Sequence, residues 1–128
     1  MTEPIFDYEK LDVYWLSIEY VAASYGTAKG LKGANRHIRD QWLRAAQSIP
    51  LNIAEGNGKQ NLKDQNRYFQ IARGSALKCA AAHDILTAFG VIDEEADRQG
   101  KSQLKRIVSM LTRLIQRTDR VVDAALEY

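Results

Sequence analysis

Leu104-Lys105-Arg106-Ile107-Val108-Ser109-Met110-Leu111-Thr112-Arg113-Leu114-Ile115 is the stretch that decides the fold. Its apolar residues Leu104, Ile107, Val108, Leu111, Leu114 and Ile115 recur three or four apart, and Val121 and Val122 extend the pattern. That period is close to a heptad and describes a helix with one buried face. The helix starts either at Asp93 or after Gly100, and the longer version covers 94–126. No comparable two-residue alternation, the mark of a strand, occurs anywhere in the chain.

Working outward, three more segments repeat the helical period. In the first, 8–29, Asp7 is placed to cap the helix start, with Phe6 and Leu11 positioned for a hydrophobic staple and Glu9 suited to the positive helix end. Leu11, Tyr14, Ile18, Val21, Ala22 and Tyr25 form its expected inner face before Gly26, Gly30 and Gly33 break the pattern. The second helix, 36–56, follows an Asn35 cap and aligns Ile38, Trp42, Ala45, Ala46, Ile49 and Ile53. Pro50 lies inside it, lacks a backbone donor and crowds the Ala46 carbonyl, so a kink is expected there. Gly56-Asn57-Gly58 ends it, as residues that tolerate the left-handed conformation. The third helix, 62–89, starts from an Asn61 cap and stops at Gly90, with Tyr68, Ile71, Ala72, Ser75, Cys79, Ala82, Ile85, Leu86 and Phe89 inward. Gly74, Ser75, Ala76, Ala80, Ala81 and Ala82 slim its middle for close approach of a neighbour. Four amphipathic segments with short connections predict an all-α, antiparallel up-down four-helix bundle, one domain over 1–128.

Composition agrees with a single core. The 128 residues are 45% hydrophobic and 27% charged, with two prolines. Met1-Thr2-Glu3-Pro4 has neither the basic start nor the apolar run of a signal peptide, and no apolar stretch approaches a membrane span, so a cytoplasmic protein is expected. Cys79 is alone and reads as a small core residue. The net charge of +2 is unevenly spread. Residues 1–28 hold Glu3, Asp7, Glu9, Asp12 and Glu19 against Lys10, whereas 101–122 hold Lys101, Lys105, Arg106, Arg113, Arg117 and Arg120 against Asp119.

Ile49-Pro50-Leu51-Asn52-Ile53-Ala54-Glu55-Gly56-Asn57-Gly58-Lys59, then Asp64, Arg67-Tyr68-Phe69 and Ile71-Ala72-Arg73-Gly74-Ser75-Ala76, forms a compound signature. With Leu11-Asp12-Val13-Tyr14 and Arg44-Ala45-Ala46 it resembles the bacterial four-helix bundle proteins named after intervening sequences in 23S ribosomal RNA genes. Lys78 stands where a glutamate is common in such proteins, and helix four matches only in pattern. The resemblance implies a cyclic homo-oligomer, most often a pentamer, with no established enzymatic activity. It also implies kinship with accessory factors of diversity-generating retroelements, in which a basic pentameric barrel binds nucleic acid and a reverse transcriptase.

The signature residues Pro50, Asn52, Glu55, Gly56, Gly58, Arg67, Arg73 and Gly74 read as structural. Glu55 meets the negative end of its helix dipole and wants a cation, so a clamp to Arg67 or Arg73 across the hairpin is expected. Asn52 stands ready to bond backbone groups that Pro50 frees. No phosphate loop, dinucleotide fingerprint or metal-ligand spacing occurs, so neither a cofactor nor an enzyme is expected. His83 and Asp84 are helix neighbours that point apart, and His83 reads as a helix-surface or subunit-contact residue.

Charge carries the functional reading. Arg106, Arg113, Arg117 and Arg120 share one helix face, flanked by Lys101 and Lys105, and Arg36, Arg39 and Arg44 make a smaller second patch. Arginine forks match phosphates. The expected function is a non-catalytic oligomeric accessory protein binding RNA or DNA backbone. The alternatives are a protein-interaction scaffold whose basic face is solvated, or one in which it pairs with acidic helix one of the same or a neighbouring subunit. Oligomerisation is expected through Tyr14, Trp15, Tyr20 and Tyr25, too widely spread around helix one for a single buried stripe.

Overall fold

The computed structural model describes residues 3–126. A single 3₁₀ turn at Asp7–Lys10 leads into α1, Asp12–Ala28, and a second at Gly33–Asn35 into α2, Arg36–Asn57; α3 is Leu62–Ala88 and α4 Glu94–Leu126. Each helix packs on the next and α4 returns to α1, which makes a four-helix bundle. The α2–α3 and α3–α4 seams are the most extensive and the α1–α4 seam the sparsest of the four.

The start of the bundle departs from expectation. Asp7 opens the 3₁₀ turn instead of capping α1, and Asn57 donates to its carboxylate at 2.9 Å, tying the turn to the end of α2. That bond, together with Lys10, holds the Asp7 carboxyl below the usual carboxylate range. Phe6 stays exposed and stacks on Tyr8, while Glu9 accepts from the amides of Ile5 and Phe6 at 2.6 Å each. Asn35 makes no side-chain cap, because it closes the 3₁₀ turn whose Gly33 takes φ 60°. Asn61 does cap α3, accepting from the Lys63 and Asp64 amides, and Asp93 accepts from the Ala96 amide, which starts α4 before Gly100.

The buried face of α2 is the expected one. In α1 it is not: Val13, Leu16, Ser17, Tyr20, Ser24 and Ala28 are buried, whereas Ala22 and Tyr25 are exposed. Serine obscured that line, although Ser17 satisfies its own hydroxyl by donating to the Tyr14 carbonyl at 2.6 Å. In α3 the core line steps through Phe69, Ala72, Ala76, Cys79, His83 and Leu86, while Ile71, Ile85 and Phe89 face out at 44%, 41% and 59% exposure. Leu104, Ile107, Leu111 and Ile115 of α4 are buried as expected, but Val121 is exposed. Cys79 is fully buried, and burial pushes its thiol up to about 12.

Two glycines act through space and one does not. A Cβ on Gly56 would lie 2.8 Å from the Tyr68 Cβ and 3.1 Å from the Gln65 carbonyl, so the close approach of α2 and α3 occurs there. Gly74, expected to serve that purpose, is exposed and a Cβ on it would meet nothing within 4 Å. Gly58 keeps φ −81°, so α2 ends without a left-handed residue. Helix α2 also runs unbroken through buried Pro50, and the expected kink is not supported. Asn52 donates to the carbonyl and hydroxyl of Ser48 at 2.8 and 2.9 Å rather than to Ala46, and Ser75 of α3 donates to the same hydroxyl at 2.8 Å.

A polar thread crosses all four helices inside this core. Trp42 Nε1, which can only donate, bonds the Tyr20 hydroxyl at 2.9 Å, and that hydroxyl lies 2.8 Å from His83 Nε2. Tyr20 is thereby free to donate onward to Nε2, which leaves the neutral imidazole its proton on Nδ1. Nδ1 faces Asp97 Oδ1 at 3.7 Å, Asp97 faces Lys101 at 3.5 Å, and Lys101 also binds Asp84. His83 is 4% exposed, so it is a core residue and not the surface residue its neighbourhood in the sequence suggested. Burial pulls its pKa below the ordinary value against the opposing influence of Asp97, and burial likewise pushes the Tyr20 phenol up. The ring sits on Gly100, where a Cβ would come 2.1 Å from His83 Cε1.

Gly100→Ala is therefore expected to destabilise the bundle by about 1–3 kcal/mol, as overpacking does, measured as a lower urea midpoint at unchanged m. A second expectation concerns acid. Because the unfolded chain takes up the His83 proton before the folded one does, the fold loses stability as pH falls below about 6.5, by at most ~1.4 kcal/mol per pH unit. The slope of stability against pH is expected to flatten in His83→Gln; an unchanged slope would remove His83 as its source.

Candidate nucleic-acid interface

The exposed side of α4 carries the charge. Arg98, Lys105, Arg106, Arg113, Arg117 and Arg120 are all exposed, and none forms an ion pair among the described residues. At 1.5 Å rise per residue the row spans about 33 Å. The one carboxylate within its length, Asp119, accepts from Asn66 of α3 at 2.6 Å, and Asn66 also donates to the Ile115 carbonyl. Burial of Leu104, Ile107, Leu111 and Ile115 fixes the rotation of α4, and this rotation is what turns the arginines outward.

Two expected members leave the set. Lys101 is half-buried between Asp84 and Asp97, which raise its pKa through the Asp84 bond first, so it belongs to the polar thread. Arg39 pairs with Asp40 at 2.9 Å and donates to the Leu31 carbonyl, which leaves Arg36 and Arg44 of the second patch exposed with Asp40 between them. One member was missed. Arg98 stands seven residues before Lys105, a spacing visible in the sequence but hidden by starting the row at Lys101.

Within the chain no ion pair joins α1 to α4 among the described residues, and in the 3₁₀ turn before α1 Glu9 is occupied by two amides and Asp7 by Lys10 and Asn57.

The expected Glu55 clamp does not form. Glu55 is exposed and its cation is Lys59, one turn on in the same helix at 3.6 Å. Arg73 donates instead to Thr112 of α4 at 2.9 Å, and the Arg67 guanidinium lies 5.5 Å from the Tyr68 ring centroid, with the Lys59 ammonium 5.2 Å from it. The signature thus holds two seams: Gly56, with Ser75 on Ser48, at α2–α3, and Arg73 at α3–α4. No cluster of three or more histidine, cysteine, aspartate or glutamate side chains able to hold a metal occurs among the described residues. Among them, no helix is long and apolar enough to cross a membrane.

No curated protein matches the sequence. A solved structure does: a protein of unknown function from the S23 ribosomal protein family of Bacteroides thetaiotaomicron, 23% identical, superposes with a TM-score of 0.75 over 80% of this chain and 97% of that one. That likeness supports the bundle fold. The model of the 23S rRNA-intervening sequence protein family matches residues 9–113, from the 3₁₀ turn to the middle of the basic row. The chain belongs to the 23S rRNA-intervening sequence protein family.

Proposed function

We propose that this protein is a non-catalytic, oligomeric accessory factor that holds RNA or DNA by its phosphate backbone along α4. The observation that carries the reading is the row of exposed, unpaired cations from Arg98 to Arg120 on one rigid helix. Such a face costs self-repulsion in the free protein and is relieved by a polyanion. Guanidinium forks bind phosphate in two-point geometry, and backbone contacts of this kind hold many sequences alike.

The chain's exposed apolar residues support assembly, although not on the surface expected. Tyr20 is buried and Trp15 is engaged by donating to the Glu9 carbonyl, so α1 offers mainly Tyr25. The outer side of α3 offers Ile71, Leu77, Ile85 and Phe89, with Leu51 exposed on neighbouring α2. Exposed apolar residues of this size fit a subunit contact. Repetition around a closed ring, a pentamer on the family pattern, multiplies the α4 field.

Binding to a structured RNA is expected to weaken steeply with salt. The Arg113→Glu/Arg117→Glu double variant is expected to lower the affinity by about tenfold or more, and the salt slope by about one unit for each phosphate no longer neutralised. Failure to bind RNA or DNA at low salt would leave the interaction-scaffold reading in place of this one. Light scattering is expected to give a multiple of the chain mass at micromolar concentration, reduced to the monomer in Ile85→Asp; a monomeric parent protein rejects the assembly.

A further inference from the structure

A cleft of about 120 Å3 opens along the sparse α1–α4 seam, beside the polar thread. Its walls are Tyr20, Ser24 and Thr27 of α1, Trp42 of α2, His83 of α3 and Gln103 of α4. Ala23 and Ala96 stand exposed at its rim, and their small side chains leave the mouth open. Ser24 is 3% exposed and borders the cleft, yet its hydroxyl has no hydrogen-bond partner among the described residues. An orphaned polar atom this deep is rare in folded proteins.

We propose that the cleft receives a single unpaired pyrimidine base of a nucleic acid held on α4, an inference that rests on the α4 reading above. Size limits the ring: at about 120 Å3 the cleft is smaller than the cavity of about 150 Å3 that holds a benzene molecule, so it admits at most one six-membered ring entering from its open side and not the two fused rings of a purine. Polarity selects a base over a hydrocarbon. The Ser24 hydroxyl and the Gln103 amide each offer a donor and an acceptor, which suits a ring edge that presents both. The Gln99 amide, also at the cleft, is taken by Glu95 at 3.1 Å. Charge selects a neutral ligand, since no Asp, Glu, Lys or Arg lines the cleft. Trp42 and Tyr20, 3% and 1% exposed, close the floor of the cleft and offer no free face for stacking.

Placement connects the cleft to the charged row. Gln103 precedes Arg106 by three residues, about 4.5 Å along the helix axis. A nucleotide whose base enters the cleft keeps its phosphate beside Arg106 and the rest of its strand on the row toward Arg113.

The test uses hairpins of one stem sequence carrying a bulged uridine, a bulged cytidine, a bulged adenosine or no bulge, titrated at low salt. The bulged pyrimidines are expected to bind about tenfold tighter than the paired stem and the bulged adenosine, the scale of one base held by one or two hydrogen bonds. Ala96→Leu, which fills the rim at an exposed position, and Ser24→Ala are each expected to erase that preference while leaving the paired stem's affinity and salt slope unchanged. Equal binding of all hairpins with a normal salt slope overturns the base site and leaves the α4 reading standing. Preference that survives Ala96→Leu places the base elsewhere and also overturns it. Should no hairpin bind, the α4 reading fails, and free uridine and cytidine decide the cleft: amide shifts confined to residues 20–27 and 96–103 uphold it as a nucleoside site, and their absence overturns it.

Discussion

The contact between the His83 ring and Gly100 is the constraint on which the arrangement of the four helices depends. An imidazole seated where a Cβ would come within 2.1 Å admits one rotation and one height of α4 against α3. The same ring bonds Tyr20, which bonds Trp42, so α1 and α2 are registered to that point as well. Apolar side chains tolerate small slips, because dispersion has little direction. Buried hydrogen bonds do not, since a slip leaves each partner unpaired at a cost of roughly 1–3 kcal/mol. Hydrophobic burial supplies the drive to form the bundle, and the polar thread selects which bundle forms.

Register then decides where charge goes. With Leu104, Ile107, Leu111 and Ile115 turned inward and Gly100 beneath His83, the outward side of α4 can only be the one bearing Arg98, Lys105, Arg106, Arg113, Arg117 and Arg120. Lys101 lies off that side and is drawn into the carboxylates of Asp84 and Asp97, where it screens the thread from solvent. The two populations of cations differ in chemistry as well as place. Lys101 is paired and completes the fold, whereas the cations of the row stay exposed and form no ion pair among the described residues.

Helices α2 and α4 were legible because their buried positions are apolar and their exposed ones charged, so period and chemistry agree. Helices α1 and α3 misled for the opposite reason. Ser17, Ser24 and His83 occupy core positions, whereas Ile71, Ile85, Phe89 and Tyr25 face out, and a hydrophobicity count prefers the wrong stripe in both. Pairing across 63 residues, as between Tyr20 and His83, leaves no local trace. Glu55 misled in the opposite direction, since its partner is the lysine one turn away in the sequence rather than an arginine across the hairpin. The basic row was readable except for Arg98, and the cleft was not, since it exists only where α1 and α4 meet.

The touching backbones at Gly56 have a consequence in the order of folding. Helices α2 and α3 are joined by four residues, 58–61, and share the most extensive seam in the molecule. Closing so short a loop costs little chain entropy, and contacts close in sequence form fastest. The α2–α3 hairpin can thus assemble around Gly56, Tyr68 and Phe69 before α1 and α4 dock, presenting Trp42 and His83 as a template. Docking of α1 and α4 is the later, longer-range step, and it is the step that closes the polar thread and creates the cleft.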